Sequence, residues 1–435
     1  MKRILHDVAV SACALTGTTR FAVRRFGPGF VLPRLFVDRV CALGGLDRER
    51  FSDELRACRS LGDQGWVEHW RTVAKTEIDS ARVGLDTLGG PTIESLLDAD
   101  EAATAASRLA LRSALGPAAT LLAHRSSTAT TAFIEAYPEH AVSAHTLNAL
   151  IRAMTYLSTA AWPGWSPLRL EAYADAHRLF TALQLAVAPE LGVEIEEFTL
   201  DLGDEQVRGH LMLPTGNQRC AGILISNGLE GTIQEIALPA LAHFRADTAL
   251  AVMEMPGTYA YRRPMSLDSG RCYTAVIDYM SAHPRIDSQN MTMLGLSFGA
   301  HWSTRMALQD NRLTAAVSNG GPYHHAFGPT ATLGMASIML STLRNTVEAR
   351  NVADLARRLR AFSLKDRYRD IKIPILAVNG ENDTLVPTRD TIELADAAPH
   401  GELRLYPDDD HCAIRHLDEF IGDAFTWLRD HTAHN

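Results

Sequence analysis

The stretch Met291-Thr292-Met293-Leu294-Gly295-Leu296-Ser297-Phe298-Gly299-Ala300 decides how the rest of the chain is read. Met291 to Leu294 predicts a short buried strand, and Ala300 to Gln309 has the composition and spacing of a helix. A Gly-x-Ser-x-Gly match by itself arises by chance; a strand before it and a helix after it give it structural meaning. Side chains at Gly295 or Gly299 would collide with neighbouring backbone in so tight a turn. The turn lifts the Ser297 hydroxyl above the strand, where the first turn of the next helix offers backbone N–H groups without helical partners. Ser297 is therefore a candidate nucleophile.

A serine hydroxyl is a weak nucleophile near neutral pH and needs a base within hydrogen-bond reach and a carboxylate to orient that base. The chain order that fits a strand–Ser–helix turn is Ser, then acid, then His. After the apolar run Ile375 to Val378 comes Asn379-Gly380-Glu381-Asn382-Asp383, a turn at a strand's carboxyl end, which makes Asp383 the expected acid and Glu381 its competitor. After Glu402 to Tyr406 comes Pro407-Asp408-Asp409-Asp410-His411-Cys412, just before the final helix, which makes His411 the expected base. Of the 17 histidines, most are expected to be structural; His301 falls on the helix behind Ser297, and His416 is expected at the surface. The run 408–410 reads as a solvated turn.

Working outward, apolar runs Cys220 to Ser226, Thr248 to Met253 and Ala315 to Ser318 join those already named, each bounded by turns and separated by helical pattern. Such runs are the signature of an α/β fold with a mostly parallel sheet covered on both faces. Val193 to Leu200 and Gln206 to Leu213 read as a leading hairpin turned at Gly203-Asp204. Up to residue 188 the period is helical, so the expected division is a helical domain over 1–188 and an α/β domain over 189–435, with a helical insertion at 322–372. Trp162 and Trp165 are expected to pack in a core.

Acyl transfer also needs donors for the developing oxyanion. One is expected to be the N–H of Phe298; the second falls in Asn227-Gly228-Leu229-Glu230-Gly231-Thr232, with Leu229 or Gly228 the candidates. Glu230, Tyr259 and the pair His324-His325 follow strands on the same edge and are candidate substrate-binding residues.

The chain has 435 residues, 46% apolar and 21% charged, enough to bury a sizeable core. Its net charge of −9 argues against a nucleic-acid partner, because phosphate contacts need a basic footprint. Six scattered cysteines without a CxxC pair argue for reduced thiols in a cytoplasmic protein. The apolar run at 8–15 is interrupted upstream by His6-Asp7 and followed by Arg20, Arg24 and Arg25, unlike a leader peptide. No stretch approaches the ~20 apolar residues of a membrane-spanning helix. The expected partner is a small-molecule substrate, with no membrane; a second copy of the chain, as a homodimer, is left open.

These residues together resemble the α/β-hydrolase superfamily, and within it the branch of FrsA-like esterases, the 2,6-dihydroxypseudooxynicotine hydrolase and fungal polyketide-shortening hydrolases. The resemblance is carried by the helix around Tyr173 to Phe180, the 227–232 loop with Glu235, Met255-Pro256-Gly257, Gly295 to Gly299, and Gly320-Gly321, over about residues 168 to 435. Glu230 stands where the branch usually has Asp. The resemblance implies an α/β-hydrolase fold: an eight-stranded, mostly parallel sheet under a helical N-terminal cap, with a deep pocket between them. It implies hydrolysis of an ester, or of an activated carbon–carbon bond such as a β-diketone, by Ser297, His411 and Asp383, with no metal or organic cofactor. For a carbon leaving group, His324 or His325 is the expected proton source. The same residues would serve an acyltransferase or cyclase, and the fold would also serve a ligand-binding protein without catalysis.

Overall fold

Apolar runs of six to eleven residues become eight strands: β1 (Val193–Asp201), β2 (Gln206–Pro214), β3 (Cys220–Ser226), β4 (Thr248–Met253), β5 (Ile286–Leu296), β6 (Leu313–Asn319), β7 (Ile375–Gly380) and β8 (Gly401–Tyr406). The computed structural model describes residues 10, 12–13, 16–32, 34–98, 104–259, 261–328, 335 and 337–432. The apolar run at 8–15 lies mostly outside the described residues, as does part of the 322–372 insertion.

One sheet takes all eight strands in the order β1-β2-β4-β3-β5-β6-β7-β8. β2 runs antiparallel to β4, and every pair from β4 to β8 is parallel. β7 is buried at every position, as a parallel strand covered on both faces must be, whereas β8 at the sheet's end is mostly half-buried or exposed. The chain runs outward from β3 to β4 and then returns to place β5 on the other side of β3. That reversal opens a crevice at the carboxyl ends of β3 and β5, the place where open α/β sheets bind ligands. The loops that leave those two ends are 227–232 and the Ser297 turn.

The chain divides into two compact units, one of residues 196–233 and 245–435 with the described part of 1–19, the other of residues 20–195 and 234–244. The boundary near 195, and the return of 234–244 to the helical unit, differ from a single break at 188. The reason is local: within the helical unit, Glu235 pairs with Arg39 at 2.8 Å and Gln234 donates to Ser158 at 2.9 Å. Its long helices Asp63–Leu88, Ala141–Ala161 and Pro167–Val187 enclose an aromatic core in which Phe51 stacks on Trp70 at 5.1 Å and Trp162 meets Phe36 at 4.8 Å. Trp66 donates its indole N–H to the Thr159 carbonyl at 2.8 Å, so its polar atom is satisfied where the ring is buried. Arg169 is fully buried here, paired with Asp63 at 2.7 Å and donating to the carbonyls of Leu61 and Trp162. A charge this deep is tolerable only because its donors have partners.

In the sheet unit the helix Phe298–Gln309 follows the Ser297 turn, and its Trp302 stacks on Tyr273 at 5.2 Å. The insertion is helical over Ser337–Thr346 and Val352–Arg360. Its second helix starts where Asn351 caps the N–H of Asp354 at 2.9 Å, which splits the single helical pattern of the sequence in two. Among the described residues, no helix is long and apolar enough to cross a membrane. All six cysteines are unpaired thiols.

Candidate active site

Ser297 follows β5 with φ 55° and ψ −124°, a backbone conformation that non-glycine residues rarely adopt. Its N–H donates to the Asn319 carbonyl at the end of β6 at 2.8 Å, which holds the turn against the sheet. A Cβ on Gly299 would stand 2.2 Å from the Ser226 carbonyl oxygen, so the helix can start this close to β3 only with glycine there. The strain is thus imposed by surroundings that leave the turn no other shape.

The Ser297 hydroxyl lies 2.8 Å from His411 Nε2, and His411 Nδ1 lies 2.8 Å from Asp383 Oδ2. The three side chains therefore form one hydrogen-bonded line from hydroxyl to imidazole to carboxylate. Asp383 is held from behind: its Oδ1 accepts from the N–H groups of Leu385 and Val386 at 2.7 and 2.8 Å, and its Oδ2 accepts from Asn379 Nδ2 at 2.8 Å. The Asp383 side chain is wholly shielded from solvent and that of His411 is 8% exposed. Burial alone would push the His411 imidazole down, but the Asp383 carboxylate beside it outweighs burial and holds it well above the ordinary value. Glu381, the competing carboxylate, is exposed, and its backbone N–H joins β8 through the Tyr406 carbonyl at 3.0 Å.

The loop after β3 closes on itself, with Gly231 N–H donating to the Gly228 carbonyl at 3.1 Å and Asn227 Nδ2 to the Thr232 carbonyl at 2.5 Å. It presses so closely on the serine that a Cβ on Gly228 would stand 2.4 Å from Ser297 Cβ. Among the described residues, neither the Leu229 nor the Phe298 N–H donates to a backbone carbonyl. Phe298 follows Ser297 in the chain, and Leu229 follows Gly228, whose added Cβ would stand 2.9 Å from the Ser297 hydroxyl oxygen.

The other expected residues are placed differently. Glu230 and Tyr259 are buried with positive φ (56° and 37°), and the Tyr259 hydroxyl donates to the Glu230 carbonyl at 3.2 Å, tying the loops after β3 and β4 together. Tyr261 donates to the Glu254 carbonyl at 3.1 Å. His324 and His325 have partners other than the serine: His324 Nδ1 meets Ser363 Oγ at 2.8 Å and His325 Nε2 meets Glu393 at 2.9 Å. His301 is fully buried against the Pro322 carbonyl at 2.9 Å; burial, with Arg305 beside it, pulls its imidazole down to about 3. His416 pairs with Asp409 at 2.7 Å.

Sequence reasoning missed the residues that build the His411 loop. The run 408–410 is not a solvated turn. Asp409 is buried and accepts from the N–H groups of Asp410, Arg415 and His416 and from both the Arg415 and His416 side chains. Burial would raise its carboxyl, but the hydrogen bonds led by His416 hold it below the ordinary value. Asp410 accepts from the N–H of His411 at 2.8 Å and of Thr384 at 2.7 Å, fastening the His411 loop to the Asp383 loop. An acidic run directly before a candidate base was the available signal, since short Asp side chains readily bond nearby backbone N–H groups.

Comparison with known proteins fits this arrangement. A family model described as Esterase FrsA-like matches residues 133–432, beginning well before the 168 expected from the sequence. Esterase FrsA of Vibrio vulnificus (strain YJ016) is 24% identical over 294 residues, covering 65% of this chain and 70% of its own. Among solved structures, AbyA5 (wild type) superposes with a TM-score of 0.58 at 24% identity over 69% of this chain and 84% of its own. The 2,6-dihydroxy-pseudo-oxynicotine hydrolase does so with a TM-score of 0.56 at 19% identity over 80% of this chain and 95% of its own. The fold is that of the α/β-hydrolases, and with the family model spanning well over half of its length, the chain belongs to the Esterase FrsA-like family.

Proposed function

We propose that this hydrolytic enzyme is a serine esterase acting on a small-molecule carboxylic ester through an acyl-enzyme on Ser297. The observation that carries the reading is the unbroken line Ser297–His411–Asp383, with 2.8 Å at each step. Ser297 Oγ attacks the ester carbonyl while His411 Nε2 takes its proton, and Asp383 holds the imidazole in the tautomer whose Nε2 is free to do so. The developing oxyanion is received by the N–H groups of Phe298 and Leu229, neither of which is committed to a backbone carbonyl. Loss of one such donor typically costs ~10²–10³ in rate. The imidazolium then protonates the leaving alkoxide, and the acyl group passes to water by the same steps in reverse.

Cleavage of a carbon–carbon bond would require a further acid to protonate the leaving carbon. His324 and His325, the expected helpers, are bonded to Ser363 and Glu393. An oxygen leaving group needs no such helper, because His411 can protonate it alone.

A fluorophosphonate probe, which phosphonylates activated serines, tests the reading together with p-nitrophenyl esters of graded chain length. The wild type is expected to be labelled and to release p-nitrophenol, and Ser297→Ala to lose labelling and at least ~10⁴-fold in kcat. A wild type that resists the probe and hydrolyses none of the esters overturns the proposal. Added alcohols or amines, with analysis of products, separate transfer to water from transfer to another acceptor.

A further inference from the structure

Two asparagines outside the line of Ser297, His411 and Asp383 touch Ser297, Asp383 and the residue that follows His411. Asn319 ends β6 and Asn379 lies at the carboxyl end of β7, and both are fully buried. The Asn319 carbonyl accepts the Ser297 N–H at 2.8 Å, while its Nδ2 donates to the Cys412 carbonyl at 2.8 Å. Asn379 Oδ1 accepts the Cys412 N–H at 3.1 Å, and its Nδ2 donates to Asp383 Oδ2 at 2.8 Å, the same oxygen that faces His411 Nδ1. Cys412, the residue after His411, is thus held at its N–H and at its C=O by one side-chain amide from each of two adjacent strands.

The loop needs such a hold. Cys412 and Ala413 have φ of 60° and 50°, two successive non-glycine residues in the left-handed region, which is unfavourable without surrounding constraints. β6 and β7 pair in parallel register, with Asn319 opposite Val378, so the sheet ladder fixes how far apart the two amides stand. Among the described residues, the buried Asn319 Oδ1 has no hydrogen-bond partner, so only the donor half of that amide is engaged by them. Burying an unpaired acceptor is unfavourable, and a donor to the Cys412 carbonyl is what this position gains in return.

We infer that Asn319 and Asn379 are positioning residues: together they set the distance at which the His411 imidazole meets Ser297 and Asp383, and Asn379 also draws part of the Asp383 charge away from the imidazole. The inference rests on the esterase reading of that line. The titratable groups facing the imidazole are Asp383 from the loop after β7 and the Cys412 thiol from its own loop, with Asp410 on its backbone N–H.

The test uses Asn379→Asp and Asn319→Asp in the full chain, which nearly keep volume and each remove one amide donor, with Asn379→Ala as a variant that removes the amide without adding charge. Three things are measured: kcat/KM against pH for an ester that the wild type hydrolyses, the melting temperature, and the far-downfield proton resonance of the His411 Nδ1–H. Both Asn379 variants are expected to lower kcat/KM by about 10- to 100-fold, the range for losing one hydrogen bond to a charged group. They also move the acid limb of the profile to higher pH and shift the resonance, because the undiluted carboxylate charge favours the imidazolium. Asn319→Asp is expected to lower the rate by about tenfold without moving that limb. Folded variants with wild-type rate, acid limb and resonance overturn the inference, and so does a rate loss at Asn379 that follows only the melting temperature while acid limb and resonance stay in place. If the wild type is not labelled by the fluorophosphonate, the esterase reading is what has failed; the resonance needs no turnover and still tests the clamp.

Discussion

Asp383 and Asp390 both follow β7, both are shielded from solvent, and they differ in what they leave open. Asp390 accepts four backbone N–H groups, from Tyr323, His324, His325 and Ala326, at 2.7 to 3.1 Å. Every strong acceptor position on it is closed by the chain, and it serves to fold the loop after β6. Asp383 closes one oxygen with two N–H groups but shares the other between an asparagine and an imidazole. The histidines divide the same way: His324 and His325 end on Ser363 and Glu393, whereas His411 ends on a hydroxyl held on strained backbone. Burial and charge do not by themselves make a reactive site. What distinguishes it is a partner whose hydrogen bond can be exchanged for a substrate's proton.

The sharpest way to break this contrast is to neutralise each carboxylate in turn. Asp383→Asn should lower kcat by about 10⁴-fold with the fold intact, because the imidazole then sits in the wrong tautomer. Turnover near the wild-type level would move the acid's role elsewhere, with Glu381 the first residue to examine. In the same experiment the wild-type profile carries a sign. On the proposed mechanism the neutral imidazole is the base, and His411 is held above its ordinary value of 6.5, so kcat/KM should rise with pH through an acid limb lying above 6.5. Without the Asp383 charge, burial is opposed by the Cys412 side chain alone, and any residual activity should show that limb displaced downward. A wild-type limb below 6.5 would contradict the coupling.

Gly228→Ala tests the flank opposite the helix. A methyl there would stand 2.4 Å from Ser297 Cβ, so the loop must withdraw and take the Leu229 N–H with it. A fall of about 10²-fold in kcat, with fluorophosphonate labelling of Ser297 slowed in step, is expected for a lost oxyanion donor; unchanged rates would remove the 227–232 loop from the chemistry.

Asp390→Asn, by contrast, should act on stability. The neutral amide keeps one acceptor and turns a donor toward backbone N–H groups, which should cost about 1–3 kcal/mol in denaturant unfolding and alter kcat/KM by less than about tenfold. Smallest of all, His324→Ala should leave kcat/KM within about threefold for an ester substrate. A loss of orders of magnitude for either variant at unchanged stability would erase the distinction between the two regions.

Much of this was legible because strand, turn and helix punctuate the chain. The runs read as Cys220 to Ser226 and Thr248 to Met253 are β3 and β4 residue for residue. β5 and β7 run further than their apolar cores, through Leu296 and Gly380. A glycine at a strand's end reads as a turn in sequence, yet it still pairs in the ladder, as Gly295 does with Ser318. Less legible were polar residues whose partners are distant in sequence. The amides of Asn319 and Asn379 meet Cys412 from strands that local pattern could not place side by side. His324 and His325 looked like candidates because they follow a strand on the functional edge, but position along the chain does not tell which way an imidazole turns.

The sequence by itself determined the alternation of strands and helices, the strained serine turn and the order in which Ser297, Asp383 and His411 leave their strands, because these follow from local pattern and from glycine's freedom of backbone. Only the tertiary structure decided that Asp383 and not Glu381 meets His411, that Asp409 and Asp410 brace the loop, and that His324 and His325 pair with Ser363 and Glu393. The physical reason is that a buried polar atom takes the partner nearest in space, and strand order brings together residues that the chain itself holds far apart.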